Sequence, residues 1–105
     1  MIRHTVAFRL VHPDGSAEET AFLADGRRIL TGIPGVEDFV VSRQVSPKST
    51  HRFQFAMSFA DQAAYDAYNG HPEHVAFVTT RWMPEVAEFD ELDFVALAPA
   101  APDAL

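Results

Sequence analysis

Both tyrosines of the chain and two of its five histidines fall in one short stretch, Tyr65-Asp66-Ala67-Tyr68-Asn69-Gly70-His71-Pro72-Glu73-His74-Val75-Ala76-Phe77. A neutral imidazole can take a proton from an acidic carbon or hydroxyl, and a nearby phenol can hydrogen-bond the oxygen on which charge then develops. Tyr68 and His74 are the residue types for that pair. Pro72 suits the first position of a helix, so His74 lies in the first turn, about one turn before Phe77 and Val78, with its ring directed toward the apolar side. There the helix dipole disfavours the charged imidazole, while the adjacent Glu73 favours it. The same residues also allow a structural reading, with Tyr68 anchoring a short helix and His74 a satisfied, half-buried ring.

His71 precedes Pro72 and fits the N-cap, where its ring would bond nearby backbone. His71 and His74 are three apart, but no carboxylate–histidine pattern of a zinc or iron type surrounds them, so no metal is expected. His4 shares a strand face with Val6 and Phe8. That face should look toward helices, where His4 either lines a pocket or is a hydrogen-bonded core residue. His12 and His51 sit at loop or strand edges, where solvent is the default surrounding.

The elements that must position these residues follow from periodicity. Residues 2–11 alternate with a period of two, which marks a half-buried strand. His12-Pro13-Asp14-Gly15 is a turn, and Ser16 with Glu19 three residues later forms a capping-box pattern that opens a helix. Phe22, Gly26, Ile29, Leu30 and Ile33 recur on one face of that helix, which Pro34-Gly35 stops. Gly26 inside the stripe costs about 1 kcal/mol relative to alanine, which suggests that something needs its space. Residues 36–45 read as a second, β-branched strand and 51–59 as a third, with Phe53, Phe55, Met57 and Phe59 on one buried face. Asp61 caps a short helix ending near Asn69-Gly70. The helix from Pro72 buries Val75, Val78 and Trp82 until Pro84 ends or bends it, and residues 89–97 form a last strand.

Strand, helix, strand, strand, helix pair, strand is the split βαβ order, an α+β, ferredoxin-like βαββαβ subunit. Its antiparallel four-stranded sheet carries helices on one face and leaves the other bare. Ala7, Val40, Ala56 and Val95 are candidates for that bare face, which invites the sheet of a second copy. One domain is expected over residues 1–97, with a mobile Pro/Ala-rich tail over 98–105.

Composition excludes several function classes. The net charge of −7 and the scattered placement of the eight basic residues provide no footprint for nucleic acid. No apolar run approaches the length of a membrane span and no signal-peptide pattern opens the chain, so neither membrane nor export is expected and the location reads as cytoplasmic. The absence of cysteine removes disulfides, thiolate metal sites and thiol nucleophiles.

Residues 1–10, the Ile33-Pro34-Gly35-Val36 turn, Phe59-Ala60-Asp61 and the block Tyr68…His71-Pro72-Glu73-His74-Val75-Ala76-Phe77 together resemble the stress-responsive dimeric α/β-barrel (Dabb) family up to about residue 97. The resemblance implies a homodimer in which two sheets pack into a barrel. It also implies two kinds of role, because many members have no assigned activity while a plant polyketide cyclase of the family closes a linear poly-β-ketoacyl thioester by intramolecular aldol condensation. In that cyclase the positions of Tyr68 and His74 are the catalytic pair and the position of His4 is a strand-one histidine, with no cofactor required. A pocket carried over on this basis would be lined by His4, Val6, Phe8, Phe22, Gly26, Phe53, Phe55 and His71 and would take a polyketide-like or aromatic ligand. The chain departs from the cyclase at Phe53, where a second pocket histidine stands, at Phe55, which is bulkier, and at Gly26, where the cyclase has a large aromatic. The alternatives are a non-catalytic stress-response or ligand-binding dimer, and a dimer whose pocket is filled.

Overall fold

The computed structural model describes residues 1–98. Apart from Ala98, the expected tail lies outside the described residues. Strand β1 (Ile2–Leu10) leads through a turn into helix α1 (Ala17–Thr31), followed by β2 (Glu37–Arg43), β3 (Phe53–Phe59), α2 (Gln62–Gly70) and α3 (Pro72–Phe77). A π-helical turn (Val78–Trp82) and a last short helix, α4 (Met83–Glu85), then deliver the chain to β4 (Val86–Phe94). The sheet order is β2-β3-β1-β4 with antiparallel neighbours throughout, the ferredoxin-like arrangement.

Helix starts are set by side chains. The Ser16 hydroxyl accepts the Glu19 N–H at 3.2 Å, and the Glu19 carboxylate reaches back to the Gly15 N–H at 3.1 Å. Asp61 accepts the Ala64 N–H at 2.8 Å at the head of α2. The Thr79 and Thr80 hydroxyls bond back to the Val75 and Ala76 carbonyls at 2.8 and 2.7 Å, just where the helix widens into its π turn. The Met83 N–H reaches the Val78 carbonyl across that turn, and Pro84, which has no N–H to continue the ladder, follows directly.

The register decides what faces the helices. His4, Val6 and Phe8 of β1 stand opposite Met57, Phe55 and Phe53 of β3 on one side and opposite Asp93, Glu91 and Phe89 of β4 on the other. Alternation therefore sends these residues to the helix-covered face, where Phe8, Phe22, Phe55, Phe59 and Met57 are all but inaccessible. Ala7, Val40 and Ala56 lie on the bare face, as their strands require.

The fourth strand corrects the sequence reading twice. It starts at Val86, three residues earlier than expected, and ends at Phe94, because the pairing Arg3↔Phe94 leaves β1 almost no strand beyond it. Its inward residues are Phe89, Glu91 and Asp93, so Leu92 and Phe94, 59% and 52% exposed in the isolated subunit, belong to the bare face in place of Val95. Strand β2 is shorter than expected, spanning Glu37–Arg43, and its register slips between Glu37 and Val40, where Asp38 adopts a positive φ of 51°. Asp is among the few residues that tolerate that region, and its carbonyl accepts an Arg3 N–H at 2.8 Å.

Candidate functional site

Between the sheet and the helices lies a cavity of about 550 Å³. Its floor is sheet: His4 and Val6 from β1, Phe55 and Met57 from β3, Phe89 and Glu91 from β4. Its walls are helical: Leu30, Tyr68, Asn69, His74 and Phe77, then Val78, Trp82 and Met83 from the π turn and the residue after it. The widened turn and the residue after it thus contribute Val78, Trp82 and Met83 to the lining. Most of the lining is apolar, and its polar side chains are few: two imidazoles, one phenol, one amide, one carboxylate and the indole N–H of Trp82.

Tyr68 and His74 meet across the junction of α2 and α3, their ring centroids 4.4 Å apart. The His74 Nδ1 lies 3.2 Å from the Asn69 carbonyl. A carbonyl only accepts, so Nδ1 carries the proton and Nε2 is left as a basic lone pair. Burial holds the His74 pKa below its ordinary value of 6.5, helped by the nearby His4 and opposed by the Asn69 carbonyl and by Glu91. The ring is therefore a neutral base near pH 7. Tyr68 is 2% exposed, and burial first, then the neighbouring Tyr65 and Glu91, push its phenol well above the ordinary range, so the hydroxyl stays protonated and donates. Among the described residues it has no protein partner, yet it is not shut off from the cavity that Tyr68 lines.

His4 is held from behind. Its Nδ1 lies 2.6 Å from the Asp93 carboxylate, and the Tyr65 hydroxyl donates to the other oxygen of Asp93 at 2.9 Å while sitting 3.0 Å from the same Nδ1. Burial, then the bond to Asp93, raises the Tyr65 phenol as well. The bond from Nδ1 to the carboxylate fixes the orientation of the His4 ring, which lines the cavity.

The structure brings His4, Val6, Phe55, Tyr68 and His74 to one cavity. The other expected lining residues do not reach it. Phe8, Phe22 and Phe53 are core residues, with Phe8 centred 5.9 Å from Phe22, 6.0 Å from Phe53 and 4.8 Å from Phe55. His71 caps α3 with its ring, Nδ1 accepting the Glu73 N–H at 3.1 Å, which holds it at the helix end. Gly26 is covered: a Cβ built there would stand 2.7 Å from Cζ of Phe55. Phe55 and Gly26, two of the three positions at which the chain departs from the cyclase, lie against each other: the Phe55 ring occupies the space beside Gly26 while still lining the cavity.

Asp93, Tyr65, Glu91 and Trp82 were not expected at this site. The available signal was that a histidine on the inward face of β1 needs a polar neighbour, but acidic residues occur in both phases of β4, at Glu88 and Asp90 as well as at Glu91 and Asp93, so the sequence did not choose between them. Among the described residues, no group of three or more histidines and carboxylates has metal-holding geometry, and no helix is long and apolar enough to cross a membrane.

The family model for the Stress responsive A/B Barrel Domain (Dabb) matches residues 2–96. A Dabb-family protein with a ferredoxin-like fold from Mesorhizobium loti is 56% identical, covers 92% of this chain and 97% of its own, and superposes with a TM-score of 0.91. A dimeric ferredoxin-like protein of unknown function from Thermobifida fusca is 18% identical, covering 90% of each chain with a TM-score of 0.74. A hydroxynitrile lyase from Passiflora edulis is 13% identical, covers 95% of this chain and 96% of its own, and has a TM-score of 0.81. At these last two identities the likeness is one of fold. No curated protein matches the chain.

Proposed function

Since the chain belongs to the stress responsive A/B barrel (Dabb) family, we propose that it is a homodimeric, cyclase-like enzyme that moves protons on a small carbonyl compound with Tyr68 and His74. The single observation that carries this reading is that a neutral, tautomer-fixed imidazole and an unpartnered, protonated phenol border one largely apolar cavity of about 550 Å³. A substrate carbonyl accepts a hydrogen bond from the Tyr68 hydroxyl. His74 Nε2 then removes a proton from the carbon between two carbonyls, and the electron pair of the broken C–H bond moves onto the carbonyl oxygen as an enolate that Tyr68 stabilises. In an aldol closure the enolate carbon attacks a second carbonyl of the same molecule, and the resulting alkoxide takes a proton from the imidazolium, which restores His74. His4, oriented by Asp93 and Tyr65, is a further polar group beside the same space.

The polyketide-like or aromatic substrate class rests on the apolar lining and on the resemblance of the Tyr68–His74 block to the plant cyclase. The hydroxynitrile lyase provides a precedent for an enzyme on this fold and nothing about the substrate. Dimerisation is supported by the bare sheet face, where Val40, Leu92 and Phe94 are exposed, and by the dimeric Thermobifida fusca relative.

The test is deuterium exchange at the central carbon of a 2,4-diketone in D2O at neutral pH, followed by proton NMR. Wild type accelerates exchange, and His74→Ala loses roughly 10²–10⁴-fold, the usual share of a positioned base. Tyr68→Phe loses less than or about as much as one oxyanion donor supplies, roughly 10²–10³-fold. Wild-type exchange rates in a folded His74→Ala protein would sink the assignment. Thermal stabilisation by aromatic ketones without any exchange would favour the alternative, a ligand-binding dimer.

A further inference from the structure

We infer that Glu91 sets the specificity of this cavity, selecting uncharged carbonyl compounds that carry a second hydrogen-bond donor, such as a phenol or enol hydroxyl, and turning away carboxylates. The inference rests on the carbonyl-binding reading above and deepens it.

Glu91 stands opposite Val6 in the β1–β4 ladder, on the same face as His4, and lines the cavity. Every other carboxylate of β4, and that of Glu85 just before it, is engaged by protein. Glu85 holds His12 and Arg81, Glu88 holds Arg9 and Thr50, Asp90 holds His51, and Asp93 holds His4 and Tyr65. Glu91 has no such partner among the described residues. It is exposed to solvent when the cavity is empty. An ionised carboxylate accepts hydrogen bonds and never donates, and bonds to it are roughly twice as strong as neutral ones. A ligand whose carbonyl engages Tyr68 therefore gains by presenting an O–H to Glu91.

The converse follows from what is missing. Among the described residues, neither arginine nor lysine lines the cavity, so an anionic ligand would meet the Glu91 carboxylate with no fixed cation beside it. That the Glu91 charge also bears on Tyr68 and His74 accords with its reaching the same space.

Calorimetric titration of three matched ketones tests this: 4-hydroxyacetophenone, 4-methylacetophenone and 4-acetylbenzoate, each against wild type, Glu91→Gln and Glu91→Leu. Wild type should bind the hydroxyl compound best and the carboxylate on the order of tenfold more weakly than the methyl compound, as expected for like charges a few ångströms apart at a partly solvated site. Glu91→Gln should recover acetylbenzoate binding, and Glu91→Leu should erase the preference for hydroxyl over methyl. Equal binding of acetylbenzoate and the methyl compound by wild type, or a ranking unchanged in Glu91→Leu, would overturn the inference. If diketone exchange is catalysed and the ranking ignores residue 91, this inference fails alone. If wild type neither catalyses exchange nor binds any of the three ketones, it fails together with the proposed function.

Discussion

Substituting Gly26 with alanine sets two measurable effects against each other. In an exposed helix the change would stabilise by about 1 kcal/mol, because alanine loses less backbone freedom on folding. Here the new Cβ stands 2.7 Å from Cζ and 3.0 Å from Cε2 of Phe55, and 3.5 Å from Cζ of Phe77. Restoring ordinary carbon–carbon contact requires the Phe55 ring to move by about 1 Å. That ring is fully buried, with centroids of Phe8 at 4.8 Å, Phe39 at 5.4 Å, and Phe22 and Trp82 at 6.3 Å, so its open direction is the cavity it lines. Overpacking of this kind costs about 1–3 kcal/mol, which exceeds the helix gain at most of its range. Gly26→Ala is therefore expected to destabilise by about 1 kcal/mol net, lowering the melting temperature by about 4–8 °C at matched protein concentration. It should also weaken binding of 4-methylacetophenone. In Gly26→Ala/Phe55→Leu the two costs should fall short of additivity by at least about 0.5 kcal/mol, since the shorter side chain vacates the clash. A Gly26→Ala protein that melts higher than wild type and binds the ketone unchanged would refute the argument that Phe55 fills the space of Gly26.

Tyr65→Phe removes the donor to Asp93 and should cost about 1.5–2 kcal/mol in urea unfolding, the lower part of the range for bonds to charged groups because Asp93 is partly solvated. Tyr68→Phe should cost clearly less, since its hydroxyl leaves no protein partner unpaired. His74, whose pKa burial lowers below 6.5, binds its proton more readily when unfolded, so the unfolded state holds more protons just below pH 6.5. Its contribution to stability is thus complete above that pH and is lost as pH falls from 6.5 toward the folded pKa, and the acidic limb of the exchange rate should lie below 6.5. Both are read by NMR titration of the His74 ring and by a pH–rate profile, and a midpoint above 6.5 would contradict them. In the proposed dimer, Leu92→Lys on the bare sheet face would place an unpaired charge between two sheets and should leave a monomer in light scattering at micromolar concentration, where wild type is expected to be dimeric.

The local elements were legible because their causes are local. The alternation in β1, the Ser16–Glu19 cap, the Asp61 cap and the proline before His74 act over a few residues, and the structure has each of them in place. The pairing of Tyr68 with His74 was legible for the same reason, since only a helix–turn–helix separates them. What the tertiary structure alone decided concerns residues far apart in sequence. Which phase of β4 faces inward depends on the register against β1, some eighty residues away, and a slip of one residue would have exchanged Asp93 for Leu92 beneath His4. The alternation of Phe89 to Phe94 allows either phase, because apolar and acidic residues occur in both. The buried need of His4 for an acceptor, met by Asp93 and Tyr65, tips that choice only once the strands are side by side. The compensation between Gly26 and Phe55 is of the same kind. Each residue alone reads as a change in pocket size, and only their contact across the helix–sheet interface shows that one fills the space left by the other.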